Sequence, residues 1–180
     1  AGNVERLAVP AGARVVPVTS TRDMLEAMEA ESADADVVIM SAAVADYRPA
    51  TVAGSKMKKG ADDADLSRLE LVENPDILKT LVDRRAAGEL PAHQVLVGFA
   101  AETGDENHTA VELAQAKLKR KGCDVLMANE VGHDKVFGQL DNQGWLLTPG
   151  AEPQEVARGT KQVVAAQILA AVDRVMGAEK

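Results

Sequence analysis

The stretch Val37-Val38-Ile39-Met40-Ser41-Ala42-Ala43-Val44-Ala45-Asp46-Tyr47-Arg48-Pro49 decides the fold. Its opening apolar run, Val37 to Met40, reads as a strand buried on both faces, the pattern of a parallel sheet covered by helices. The run then empties into small residues, which let a ligand approach the backbone at the strand's carboxyl end, where open α/β sheets bind their ligands. Asp46 offers an acceptor in that crevice. Ten residues later comes the cationic cluster Lys56-Met57-Lys58-Lys59, behind a loop holding Pro49, Ala53 and Gly54. A strand-end acceptor with lysines nearby suits an anionic, hydroxyl-bearing ligand such as a nucleotide. A buried strand followed by a solvated basic loop fits the same residues.

Working outward, strand and helix signals alternate. Val15, Val16 and Val18 predict a short strand. Ser20 then caps a helix running to about Glu31, with Asp23 in the capping-box region and Met24, Leu25 and Met28 on one face. Leu69 to Val72 is a short strand leading to Asn74-Pro75-Asp76-Ile77, where Asn74 can cap a helix whose first residue is Pro75 and which stops before Gly88. Val95 to Phe99 is a buried strand, about Asn107 to Lys121 a helix ending at Gly122, and Val125 to Ala128 a further strand. From Gly132 the texture changes. Lys135-Val136-Phe137 and Trp145-Leu146-Leu147 flank Asp141-Asn142-Gln143-Gly144, which reads as an antiparallel hairpin, and Thr160 opens a last helix to about Met176. The expected architecture is one α/β domain over 1–180, a Rossmann-like three-layer sandwich with a mostly parallel sheet and a hairpin appendage at 133–150.

Composition narrows the function. A chain of 180 residues with 46% hydrophobic content can build a real core. Only 2% is aromatic, so that core is aliphatic and there is no stacking platform for single-stranded nucleic acid. A net charge of −8 opposes general polyanion binding, and any affinity for phosphate must be local. The one cysteine, Cys123, excludes an internal disulfide framework and a cysteine-built metal site, and points to a cytoplasmic setting. His93, His108 and His133 have no ligand spacing. No apolar stretch has membrane-spanning length and no signal peptide is visible.

Three further constellations carry possible chemistry. A helix start at Asn74-Pro75-Asp76-Ile77 presents free N–H groups to an anion, although Asp76 would repel one, and an ordinary capped helix reads equally well. Val97-Gly98-Phe99-Ala100-Ala101-Glu102-Thr103 repeats the opening theme, with an aromatic ring beside a strand end where a base could rest. Lys117 and Lys121 lie four apart on one helix face; by themselves they are a solvated pair.

Taken as a set and in order, Ser41 to Pro49, Lys56 to Lys59, Asn74 to Ile77, Gly98 to Thr103, Lys117 to Lys121 and Asn129-Glu130 resemble the phosphopantothenoylcysteine synthetase domain, the second half of the bacterial bifunctional coenzyme A biosynthesis flavoprotein. The resemblance implies ligation of 4′-phosphopantothenate to cysteine. CTP activates the carboxylate as an acyl-cytidylate with loss of pyrophosphate, and cysteine then displaces CMP. It implies a nucleotide shell of Met40, Ser41, Ala42, Asp46, Asn74, Pro75, Asp76, Ile77 and Phe99, with Lys117 and Lys121 reaching the nucleotide. Lys56 resembles the family's active-site lysine, and would neutralise phosphate charge as pyrophosphate leaves. Magnesium would accompany the triphosphate. A homodimer is implied, with the hairpin and an exposed Phe137, Trp145 and Leu146 at its interface, as is possible fusion to or association with a flavin-dependent decarboxylase.

The family also opens with a strand, a Gly-Gly-Thr turn and a loop bearing Arg, Asn and Ser-Ser-Gly-Lys. None of these is in the sequence, and Ala1-Gly2-Asn3 resembles the end of the family's second strand; a preceding segment in the natural protein is the expectation. Two rivals remain. A nicotinamide-dependent Rossmann enzyme would need a Gly-x-Gly-x-x-Gly turn, which is absent. A non-catalytic dimerisation module would keep the fold and discard the chemistry.

Overall fold

The computed structural model describes residues 9–52, 54, 68–130 and 141–178, with Glu130 described by its backbone alone. The Lys56 to Lys59 cluster, Ala53, Ala1 to Asn3 and the segment bearing Lys135, Val136 and Phe137 lie outside the described residues. The chain divides into two compact units, one of Ala1–Ala27 and Ala43–Asp76, the other of Met28–Ala42 and Ile77–Lys180.

The first unit contains most of helix α1 (Thr21–Glu31) and a small antiparallel pair, β2 (Tyr47–Pro49) with β3 (Leu71–Glu73). Helix α1 starts where its sequence dictates. Asp23 N–H donates to Ser20 Oγ at 3.1 Å and Ser20 N–H donates back to Asp23 at 3.0 Å, a capping box with Asp as the returning acid. The strand expected over Val15, Val16 and Val18 is absent: these residues are irregular, with Val15 62% exposed. Among the described residues no ladder forms beside them, and β-branched propensity without a partner strand does not make a strand. Pro49 is tolerated in β2 because that pair has only edge strands.

The second unit carries the main sheet, in the order β1-β4-β5-β6-β7. Strands β1 (Val37–Met40), β4 (Val95–Glu102) and β5 (Val125–Glu130) are parallel; β6 (Asp141–Leu147) and β7 (Gln154–Thr160) continue the sheet antiparallel. Residues alternate between its two faces. Val95, Val97, Val125, Met127, Leu146 and Val156 pack with Val164, Ile168, Ala171 and Val172 of helix α4 (Lys161–Ala178). Helices α2 (Ile77–Ala86) and α3 (Ala110–Lys121) cover the opposite face. There Gly98 is a matter of space: a Cβ on it would stand 2.6 Å from Leu78 Cδ2. The α/β three-layer reading therefore holds. Among the described residues no helix is long and apolar enough to cross a membrane.

An antiparallel hairpin is present, but it is β6 with β7 and continues the main sheet rather than forming an appendage; the expected arm Lys135 to Phe137 lies outside the described residues. Asp141 to Gly144, read as its turn, lies inside β6, and the chain reverses between Leu147 and Gln154. Gly144 marks a register shift rather than a turn: at φ +157° a Cβ there would stand 2.0 Å from the Ala128 carbonyl oxygen. Leu146 is buried and Trp145 half-buried within the unit, so these two are not the exposed apolar surface expected, and Phe137 lies outside the described residues. Strand β7 was not foreseen, because Gln154-Glu155-Val156-Ala157-Arg158 offers a single buried side chain.

Candidate functional site

In the first unit the segment after β1 is tied down by Asn74. The Asn74 N–H donates to the Asp46 carbonyl at 2.7 Å, and its Nδ2 donates to the Ala45 carbonyl at 2.8 Å. Arg48 Nη1 donates to the Glu73 carbonyl at 2.6 Å and to Asn74 Oδ1 at 3.1 Å. Asn74 is thus a staple between β2 and β3, and its side-chain oxygen is engaged away from the helix it was expected to cap. Helix α2 accordingly begins at Ile77, after rather than at Pro75. Asp46, Pro75 and Asp76 are exposed. Arg48, which fixes this cluster, drew no attention in the sequence because its partners are backbone and amide groups 25 and 26 residues away. Tyr47 donates to Glu73 Oε1 at 3.2 Å, and the Glu73 charge pushes the phenol's pKa up.

In the second unit the carboxyl end of β1 lies beside the middle of β4, Met40 paired with Gly98, and β4 runs four residues further. Met40 is buried, while Ser41 and Ala42 are exposed beyond the strand end. Strand β4 does not stop at Phe99 as expected but continues to Glu102, held by pairing with β5 through Glu130. Phe99 is half-buried and packs with Val37, Val175 and Met176 against the α4 core. Ile77 is 3% exposed, so a ligand at the start of α2 would meet its backbone rather than its side chain.

Helix α3 brings in the lysines. Its start is fixed by a capping box in which Thr109 N–H donates to Glu112 Oε2 at 2.7 Å and Glu112 N–H to Thr109 Oγ1 at 3.3 Å; the Thr109 N–H, and then its hydroxyl at 2.8 Å, donate to the Glu112 carboxyl and hold it below its usual range. Gly122, at φ +73°, ends the helix in the left-handed region. Lys117 is not the solvated residue that spacing alone allowed: its Nζ lies 2.5 Å from Glu102 Oε1, with side chains 26% and 15% exposed. Lys121 is half-buried on the same face.

Cys123 sits under the sheet with its thiol pushed up to about 11, first by burial and then by the Asp124 charge, which makes it a buried apolar group rather than a nucleophile. Among the described residues no group of three or more His, Cys, Asp or Glu side chains could hold a metal ion.

A mostly parallel sheet with small residues after β1 and a lysine-bearing helix alongside defines the class: a Rossmann-like α/β protein. The chain belongs to the family described as DNA/pantothenate metabolism flavoprotein C-terminal domain, whose profile matches residues 1–176. It is 44% identical over 169 residues to the coenzyme A biosynthesis bifunctional protein CoaBC of Mycolicibacterium smegmatis, covering 94% of this chain and 40% of that protein. To CoaBC of Mycobacterium tuberculosis (strain H37Rv) it is 43% identical over 172 residues, covering 96% and 41%. The chain thus spans about two fifths of the length of these relatives. The crystal structure of a CoaBC C-terminal domain superposes with a TM-score of 0.68 at 34% identity, covering 96% of this chain and 70% of that one.

Proposed function

We propose that the protein is a phosphopantothenate–cysteine ligase of coenzyme A biosynthesis. CTP activates the 4′-phosphopantothenate carboxylate as an acyl-cytidylate with release of pyrophosphate; the cysteine amine then forms the amide and CMP departs. The observation that supports this most is the 44% identity to a CoaBC protein across nearly the whole chain. In this reading the residues that contact the nucleotide are Met40, Ser41, Ala42, Asp46, Asn74, Pro75, Asp76, Ile77, Phe99, Lys117 and Lys121. Lys56 neutralises charge on the departing pyrophosphate. Magnesium comes with the triphosphate. The protein is cytoplasmic, and a decarboxylase half, fused or associated, fits the bifunctional relatives.

Thermal-shift titration with CTP, ATP and NAD tests the reading. A CTP-selective rise is expected, and Asp46→Ala should weaken CTP binding by ~1–3 kcal/mol, the cost of losing a charged hydrogen bond. A shift with NAD instead, or with nothing, overturns it. Assembly as a two-fold homodimer belongs to the same proposal. The 133–150 segment contributes to its interface, with Leu146 buried and Trp145 half-buried within the unit and so not the side chains exposed to it. Sedimentation should give a dimer at micromolar concentration; a monomer removes the assembly claim.

A further inference from the structure

The Glu102–Lys117 pair is unusual for an ion pair so poorly exposed. Glu102 lies at the last position of β4, on the face that α3 covers, and the small residues before it on that face, Gly98 and Ala100, allow the helix close approach. Ala114 and Leu118 of α3 are buried against the sheet, and Lys117 stands beside them. Glu102 Oε1 is sealed from solvent and, among the described residues, meets the Lys117 ammonium alone, at 2.5 Å. The carboxylate therefore fixes where the ammonium sits through a single contact. A lysine ammonium has three donors, and one contact of this kind leaves two for another acceptor.

We propose that Glu102 is a positioning residue for nucleotide binding: it holds the Lys117 ammonium in place at the carboxyl end of β4, where Lys117 donates to the nucleotide. This rests on the ligase reading above, and it adds a residue that does not itself touch the ligand. The competing role is plain fastening of α3 to β4.

A double-mutant cycle separates the two. CTP affinity is measured by calorimetry, and melting by calorimetric scanning, for the parent, Glu102→Gln, Lys117→Met and the double variant. Glu102→Gln should weaken CTP binding about tenfold, and should add no further loss once Lys117 is Met. Unchanged CTP affinity in Glu102→Gln, or losses that simply add in the double variant, would make Glu102 a fastening residue and overturn the proposal. Lys117→Arg keeps the charge but moves it, and serves even where Glu102→Gln melts early. Weakened CTP binding with parental melting supports positioning, while parental affinity sinks it. A parent that binds no CTP at all is a different result: the ligase reading falls first and takes this inference with it.

Discussion

The two ends of the parallel strands are held by two acid–base pairs of opposite character. At the amino ends, Arg85 grips Asp124 with two hydrogen bonds of 2.6 and 2.9 Å, and Asp124 also accepts the Leu96 N–H at 2.7 Å. Arg85 reaches the Gln94 carbonyl as well, and Gln94 Nε2 donates to the Ser32 and Ala35 carbonyls at 2.6 and 2.7 Å, leaving Gln94 Oε1 buried without a hydrogen bond. This network sews α2 and the starts of β1, β4 and β5 together. At the carboxyl ends the Glu102–Lys117 pair is equally close but is a single contact between one nitrogen and one oxygen rather than a fork. A planar guanidinium matched to a carboxylate by two bonds serves the fold; a point-charge ammonium that meets one carboxylate oxygen keeps two donors for something else. One end is closed and the other is left available.

The largest expected effect tests that contrast directly. Asp124→Asn removes the charge that Arg85 faces, with side chains only 17% and 23% exposed, and should cost about 3 kcal/mol or more in urea unfolding. Glu102→Gln should cost under about 1 kcal/mol, because the Lys117 stem is long enough to carry its ammonium toward water. Equal losses at both sites would mean that the carboxyl-end pair is structural too, and the comparison breaks.

A smaller effect concerns Cys123, next to Asp124 at the closed end. Its thiol is raised from 9.0 to about 11, so the folded state holds its proton more tightly than the unfolded chain. The contribution is fully present below pH 9 and is lost as pH rises through about 11, so stability should decline in that alkaline window. Cys123→Ala should flatten this part of the pH–stability profile. An unchanged slope would mean that the thiol is hydrated, and that the amino-end side of the sheet is less closed than the Arg85 network implies.

What could be read in the chain was whatever rests on local pattern. The Ser20–Asp23 capping box and the Gly122 helix stop appear in the structure where their sequence puts them, and Val37 to Met40 is a strand, but not one buried on both faces: it ends the described sheet and leaves Ile39 41% exposed. The misreadings share a cause in long-range pairing. Gly144 looked like a turn residue and proved to be a strand residue pressed against the Ala128 carbonyl. Phe99 looked like a strand end, but pairing with β5 carries β4 on to Glu102. Asn74 looked like a helix cap, but Arg48 and the Ala45 carbonyl claim its amide. Of the candidate site, the order of motifs along the chain was legible; the partners of Lys117 and Asn74 were not.

The sequence by itself determined an aliphatic α/β chain with buried parallel strands, small residues at their carboxyl ends and lysines on a capped helix, because hydrophobic period, capping and glycine breaks act over a few residues. Only the tertiary structure decided which acid meets which base. Arg85 with Asp124 and Glu102 with Lys117 are 39 and 15 residues apart, and sheet register together with helix packing, neither visible in local pattern, brings them within bonding distance.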